Sequence, residues 1–118
     1  MMKEVTIWHN ARCSKSRATL ALLKEHGHEP RIVHYLEDSP SENEVRRVLD
    51  LLGSEPRGLM RTKEDLYHNL GLGDEHDDEA LIHAMVQNPI LIQRPIVICG
   101  NRVAMGRPPE SALAVLNS

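Results

Sequence analysis

The first third of the chain has the pattern of a strand, a loop, a helix and a second strand, and this order limits the possible folds. Residues 4–9 contain the β-branched and aromatic side chains typical of a strand, and residues 31–36 repeat that pattern. Between them, apolar residues recur at helical spacing over residues 16–26 and stop at Gly27. A unit of this length predicts two parallel strands joined by a crossover helix.

A block of helical segments follows. Ser41 and Glu44 have the spacing of a capping box, ahead of a helix that ends near Gly53. Shorter helical segments are predicted at residues 57–60, 63–70 and 77–87. The block predicts a helical insertion at about residues 40–88, between the two halves of a sheet.

The C-terminal part of the sequence returns to strands. Residues 90–92 are predicted to be extended, and residues 96–99 and 102–105 to form a hairpin. A final helix is predicted near Pro109, because proline is favoured in the first turn of a helix. The whole order predicts an α/β fold with a mixed sheet, in a single domain of residues 1–118.

Charge and composition exclude several classes of protein. With 17 acidic and 14 basic residues, the formal net charge is −3, which argues against a globally basic nucleic-acid-binding protein. The apolar runs are far shorter than a membrane span and no signal peptide is recognisable, so we expect a cytoplasmic protein that has no membrane or nucleic-acid partner. The seven histidines lack the spacing of metal ligands, so we expect no metal and no tightly bound cofactor. Ten of the 14 basic residues are arginine, whose rigid guanidinium group suits a local oxyanion site.

Cys13 is the first candidate for chemistry. It lies in the loop before the first helix, where unpaired N–H groups and the helix dipole favour a thiolate and lower the pKa of the thiol. Arg12, Lys15 and Arg17 add positive charge around it. The alternative is an incidental loop cysteine beside a helix that Ser14 caps.

The second cysteine, Cys99, lies in the apolar sequence of residues 96–99. A buried cysteine in such a strand behaves as a small hydrophobic residue, and this is the interpretation we favour. A resolving thiol is the minor alternative. The chain has no CxxC pair, which makes chemistry a better explanation for an intracellular cysteine than a disulfide framework.

One histidine and three arginines are further candidates. His9 lies at the end of the first strand, where it supports the thiolate or is simply a surface histidine. Arg94 and Arg107 precede prolines, which push the residue before them towards extended backbone. If Arg61, Arg94 and Arg107 converge, their guanidinium groups bind an oxyanion, and if they do not, they are ordinary surface arginines.

Four blocks of the sequence together resemble the glutaredoxin-coupled arsenate reductase family, in its shorter branch without the C-terminal tail. The blocks are HNARCSKSR at residues 9–17, RGLMR at 57–61, NPILIQRPIV at 88–97 and GRP at 106–108. They occur in the family's order and cover nearly the whole chain. The resemblance implies a thioredoxin-like (glutaredoxin-like) fold with an inserted helical block, and a cis Pro95 near the nucleophile.

The resemblance also implies a reaction and a set of site residues. Cys13 matches the nucleophilic cysteine, His9 the histidine that helps to lower its pKa, and Ser16 a hydroxyl that hydrogen-bonds the thiolate. Three arginines match the family's oxyanion-binding residues: Arg61, Arg94 and Arg107. The implied enzyme is an oxidoreductase that reduces arsenate to arsenite through a covalent thiol–arsenate adduct, with glutathione as co-substrate and glutaredoxin as partner.

Two other functions stay open on the sequence. The same fold serves in a regulator that binds RNA polymerase and senses thiol stress through a CxxC, whereas Ser16 occupies the second position here. A general glutathione-linked thiol reductase without a role for arsenate is the other alternative.

Overall fold

The computed structural model describes residues 4–93, 95–106 and 109–115. Contacts between residues divide the chain into two compact units, one of residues 1–38 and 94–118, the other of residues 39–93. The second unit, residues 39–93, includes the helical insertion predicted at about residues 40–88. The single domain over residues 1–118 stays a prediction. Among the described residues, no helix is both long enough and apolar enough to cross a membrane.

The first unit contains a four-stranded mixed sheet. Its strands are β1 (Val5–Trp8), β2 (Arg31–Val33), β3 (Ile96–Cys99) and β4 (Arg102–Met105), in the order β2-β1-β3-β4. β1 and β2 pair in parallel, and the helix α1 (Ser14–Glu25) connects them in the chain. This confirms the predicted crossover unit. β1 and β3 are antiparallel, and β3 and β4 form the predicted antiparallel hairpin.

One face of this sheet carries the core of the first unit. Val5 pairs with Cys99 and Ile7 with Val97, so alternate residues of β1 and β3 point to the same face. Leu23 of α1, with none of its surface exposed, packs into this cluster, and burying such a side chain stabilises the fold by roughly 1.5–3 kcal/mol. A 3₁₀ helix, Pro109–Val115, contributes the remaining members, Ala112 and Val115. The prediction that Cys99 is a core residue is confirmed.

The second unit is helical. Its α-helices are α2 (Glu42–Leu52), α3 (Asp65–Asn69) and α4 (Asp78–Gln87), with 3₁₀ helices at Pro56–Leu59, Leu72–Asp74 and Pro89–Leu91. The predicted capping box is confirmed, because the Glu44 N–H donates to Ser41 Oγ (3.2 Å) and the Ser41 N–H donates to Glu44 Oε1 (3.1 Å). α2 ends at Gly53, whose φ of 65° is a left-handed conformation that favours glycine.

Arg57 ties the loops of the second unit together. Its Nε donates to the hydroxyl of Tyr67 (2.9 Å), and Nη2 donates to the carbonyls of Leu72 (2.7 Å) and Glu75 (2.8 Å). Three hydrogen bonds from one guanidinium group thus fix a segment that has little regular secondary structure.

The structure corrects two predicted elements. The second strand ends at Val33 rather than at residue 36, because the carbonyl of His34 accepts the N–H groups of Glu37 and Asp38 (both 2.9 Å) and turns the chain. Of the predicted extended residues 90–92, only Ile92 is extended, in an isolated bridge to Met60. The N–H of Leu91 donates to the carbonyl of Asn88 and that of Ile92 to the carbonyl of Pro89 (both 2.9 Å), so a 3₁₀ helix forms at Pro89–Leu91 with the proline in its first turn.

Candidate active site

Cys13 occupies the N-cap position of α1. Its backbone is extended (φ −93°, ψ 123°), its carbonyl accepts the N–H of Arg17 (3.0 Å), and its side chain is half-buried. The helix therefore begins two residues earlier than the sequence pattern predicts. The first turn of α1 contains no acidic residue. N–H groups without a partner in the helix lie in this turn, and together with the helix dipole they favour a negative charge at Cys13.

A hydrogen-bonded turn holds the backbone in front of Cys13. The carbonyl of Asn10 accepts the N–H of Cys13 (3.0 Å), and Asn10 Oδ1 accepts the N–H of Arg12 (3.0 Å). Asparagine is favoured in this place because its side chain mimics a backbone acceptor. Nη1 of Arg17 donates to the carbonyl of Ala11 (2.8 Å) and closes the turn from the helix side. The position of Cys13 is thus fixed from both directions along the chain.

His9 and Ser16 form a buried polar pair beneath this turn. Nδ1 of His9 lies 2.6 Å from Oγ of Ser16, and the two residues are 5% and 0% exposed. The same Oγ accepts the N–H of Asn10 (3.0 Å). One hydroxyl group therefore joins the end of β1, the turn and the first turn of α1. The interpretation of His9 as a surface histidine is wrong, because the end of β1 is covered.

Burial is the main reason why the pKa of His9 lies below its usual 6.5, and the neighbouring charges of His34, Arg17 and Lys24 lower it further. The rings of His9 and His34 meet edge to face, with centroids 6.0 Å apart. His9 is consequently a neutral imidazole near pH 7, with one ring proton. If that proton is on Nδ1, Ser16 accepts from both His9 and Asn10, and its own hydroxyl proton is directed elsewhere.

Of the three predicted oxyanion-binding arginines, the structure describes one. Arg61 lies in the second unit, where its N–H donates to the carbonyl of Leu91 (2.7 Å) and its Nη1 pairs with Oε1 of Glu64 (2.5 Å). Arg94 and Arg107 lie outside the described residues. Convergence of the three side chains stays a prediction.

Pro95, also a predicted site residue, is buried where the chain enters β3. Its carbonyl accepts the N–H of Gly106 (2.9 Å). A Cβ on Gly106 would lie 2.6 Å from Cγ of Pro95 and 2.5 Å from Oγ1 of Thr19, so only glycine fits here. The predicted cis bond joins Pro95 to residue 94, which is outside the described part of the chain.

Thr19 and Gly106 also pack near the site, although the sequence patterns do not predict either of them as a site residue. Thr19 is fully buried, and its hydroxyl donates to the carbonyl of Lys15 (2.8 Å). It lies three positions after Ser16, a spacing that places both on one face of a helix and that could have identified it. Gly106 directly precedes Arg107, a predicted oxyanion-binding residue, in the GRP block. A glycine next to a site residue often indicates that other atoms pack closely against the backbone there, and this could have identified Gly106.

A cleft of about 200 Å³ lies beside the turn. Its walls follow the carboxyl ends of the parallel strands β1 and β2. They are formed by His9, Asn10, Ala11, Arg12, His34, Leu36 and Glu37.

Within the described ranges, no group of three or more potential ligands among His, Cys, Asp and Glu could hold a metal ion. Both cysteines are described, and neither is part of a disulfide.

Three comparisons relate the chain to known proteins. An uncharacterized protein of Escherichia coli (strain K12), YfgD, is 52% identical over 118 residues, which cover 98% of this chain and 99% of that protein. An arsenate reductase of Neisseria meningitidis is 45% identical over 117 residues, covering 98% and 100% of the two chains. The solved structure of an arsenate reductase from Vibrio cholerae superposes with a TM-score of 0.95 at 49% identity, over 98% of this chain and all of that one.

The likeness to this solved structure confirms the predicted thioredoxin-like fold with a mixed sheet. It also agrees with the resemblance that the four sequence blocks indicate. A model of the ArsC family matches residues 8–115, nearly the whole length, and the chain therefore belongs to the ArsC family.

Proposed function

We propose that this protein reduces arsenate to arsenite, with Cys13 as the nucleophile, glutathione as co-substrate and glutaredoxin as partner. The observation that carries the proposal is the place of Cys13, at the N-cap of α1 and held by hydrogen-bonded backbone on both sides. Relatives of this chain that are 45% and 49% identical and nearly equal in length are arsenate reductases. Their names support arsenate as the substrate.

His9 and Ser16 prepare the nucleophile in this proposal. With the imidazole proton on Nδ1, Ser16 accepts from His9 and from the N–H of Asn10, and its hydroxyl proton can be donated to the thiolate of Cys13. A donor to the charged form lowers the pKa of a thiol, as does the helix terminus. We therefore expect the pKa of Cys13 to lie below the roughly 8.5 of an ordinary thiol.

Arg61, Arg94 and Arg107 bind the oxyanion in the proposed mechanism. Arg61 has five N–H donors, and its pairing with Glu64 uses Nη1, so other donors stay available to an arsenate oxygen. The hydrogen bond between Pro95 and Gly106 fixes the backbone of the residues that adjoin Arg94 and Arg107 in the sequence. Cations held in place stabilise the negative charge that accumulates as the thiolate attacks.

The electrons come from thiols outside the chain. Cys13 displaces an arsenate oxygen as water and forms a sulfur–arsenic bond, with arsenic still in the +5 state. Glutathione displaces a second oxygen in the same way. A glutaredoxin thiolate then attacks the glutathione sulfur, and the bond between that sulfur and arsenic breaks. Glutathione and glutaredoxin leave as a mixed disulfide, and the electron pair of the broken bond stays on arsenic and reduces it to +3. Water releases arsenite, and Cys13 returns to the thiol.

A coupled assay tests the reaction. Arsenate-dependent oxidation of NADPH is followed in the presence of glutathione, glutathione reductase and glutaredoxin. We expect turnover with the wild-type protein, none with Cys13→Ser, and near wild-type turnover with the matched control Cys99→Ala, whose site is in the core. Absence of wild-type turnover, or equal turnover of Cys13→Ser, would contradict the proposal.

The rate of alkylation by iodoacetamide tests the activated thiol separately. The rate of Cys13 should rise with pH around a midpoint below about 8.5, because only the thiolate reacts. His9→Ala should move that midpoint upwards, since the donor chain through Ser16 is lost. A wild-type profile with the midpoint of an ordinary thiol would reject an activated nucleophile.

A further inference from the structure

We propose that the cleft beside the turn at residues 10–13 binds the zwitterionic γ-glutamyl end of glutathione, with Arg12 taking its α-carboxylate and Glu37 its α-ammonium group. This inference rests on the proposed function, in which glutathione supplies the second thiol. It adds a binding site for that co-substrate and assigns a role to two residues outside the predicted catalytic set.

The cleft is built from two ordered loops. One wall, residues 9–12, follows the carboxyl end of β1 and contains the turn that Asn10 organises. The other wall, residues 34–37, follows the carboxyl end of the neighbouring strand β2, and the N–H of Glu37 donates to the carbonyl of His34 (2.9 Å). Crevices outside the carboxyl ends of parallel strands are common ligand sites in α/β proteins.

The charges on the walls match a zwitterion. Arg12 and Glu37 line the same cleft, and both are exposed. Across the described part of the chain, neither side chain takes part in an ion pair. Leu36, 42% exposed, offers apolar surface on the same side. A single charge would suit a simple anion or cation, whereas a cation and a carboxylate on facing loops suit a ligand that carries both charges.

The size and place of the cleft indicate which part of the peptide it holds. Its volume of about 200 Å³ is below the roughly 300–1,000 Å³ of pockets that enclose a drug-sized ligand, so it takes one end of a tripeptide. Cys13 is not part of the cleft walls, but it directly follows Arg12 in the chain. Because a peptide spans about 3.3–3.6 Å per residue, we expect a γ-glutamyl group bound at Arg12 to place the cysteinyl thiol near Cys13.

Titration with S-methylglutathione, which binds but cannot react, tests the site. Chemical shifts of backbone amides are followed in the whole chain. We expect the shifts at residues 9–12 and 34–37, and binding at least about tenfold weaker in each of Arg12→Gln and Glu37→Gln, because each loses a charge-assisted contact. Matched controls are Arg31→Gln and Glu29→Gln, exposed residues outside the cleft walls, which should bind as the wild type does.

Glu37→Gln separates a built site from general electrostatic attraction. Glutathione carries a net negative charge near pH 7, so if attraction alone held it, removing a carboxylate would strengthen binding. Tighter or unchanged binding in Glu37→Gln, or shifts confined to other residues, would overturn the proposal.

The two proposals fail in different ways. If Arg12→Gln and Glu37→Gln both reduce arsenate with an unchanged KM for glutathione, the cleft assignment is wrong and the reductase proposal stands. If the protein does not reduce arsenate but S-methylglutathione binds in the cleft and both variants weaken it, the reductase proposal is wrong and the cleft assignment stands.

Discussion

Ser16→Ala is the substitution that tests most directly how the site is held together. It removes one oxygen atom from a fully buried position, and that oxygen contacts both Nδ1 of His9 (2.6 Å) and the N–H of Asn10 (3.0 Å). The methyl group that remains adds no steric conflict. The effect on stability therefore reports on the two hydrogen bonds.

The two lost contacts differ in how far water can replace them. His9 is 5% exposed, so Nδ1 stays without a partner, at a cost of about 1–3 kcal/mol. The N–H of Asn10 is partly accessible, and its loss costs about 0.5–1.5 kcal/mol. The sum is about 1.5–4.5 kcal/mol. With an unfolding entropy of roughly 2 cal/mol/K per residue, the melting temperature of a chain of 118 residues falls by about 6–19 °C.

Thermal unfolding followed by circular dichroism measures this shift, and Ser14→Ala is the matched control. Ser14 lies on the same helix two residues earlier, is exposed, and has no side-chain hydrogen bond to any described residue. We expect that control to change stability by no more than about 0.5 kcal/mol. If Ser16→Ala melts with the wild type, or if both variants lose the same amount, the inference that Ser16 joins strand, turn and helix is refuted.

Three further substitutions test other contacts. Gly106→Ala should cost about 1–3 kcal/mol in urea denaturation, because its Cβ would overlap two side chains, whereas a Cβ on Gly73 meets nothing closer than 3.9 Å, so Gly73→Ala should be far milder. The pKa of His9 is lowered in the folded state, so the unfolded state binds more protons below about pH 6.5, and stability should fall as the pH drops from about 7 to 5. His9→Gln should flatten that dependence and His76→Gln, at an exposed position, should leave it unchanged. Arg57→Lys keeps the charge but loses the fork of donors, and should cost about 1–3 kcal/mol in the same denaturation assay.

Local sequence patterns predict most elements of the first unit. β1, β3, β4 and α1 are each specified by side-chain periodicity over a few residues, and the capping box at Ser41 fixes the start of α2. The errors come where backbone hydrogen bonds compete with that periodicity. Tyr35 is fully buried, as a strand residue would be, yet the carbonyl of His34 turns the chain around it.

The candidate site is less predictable than the fold, because its contacts join residues by geometry rather than by spacing. Placing Cys13 before a helix needs only the change from strand to helix pattern in the sequence. That Ser16 bonds His9 in a buried place depends on how α1 packs beneath the turn. The cleft depends on the pairing of β1 with β2, which brings residues 9–12 and 34–37 together.

The burial of Ser16 bears on where the second thiol of a catalytic cycle must come from. In a CxxC protein that thiol would occupy position 16, but here the position holds a hydroxyl with no exposed surface, engaged with His9 and Asn10. Cys99 lies in β3 among apolar side chains, 5% exposed. To reach an arsenic adduct on Cys13, the Cys99 thiol would have to leave the hydrophobic core, and this would require part of that core to unfold. An external thiol meets no such barrier, because Cys13 is only half-buried. This is the physical reason for proposing glutathione rather than a second cysteine of the chain as the reductant.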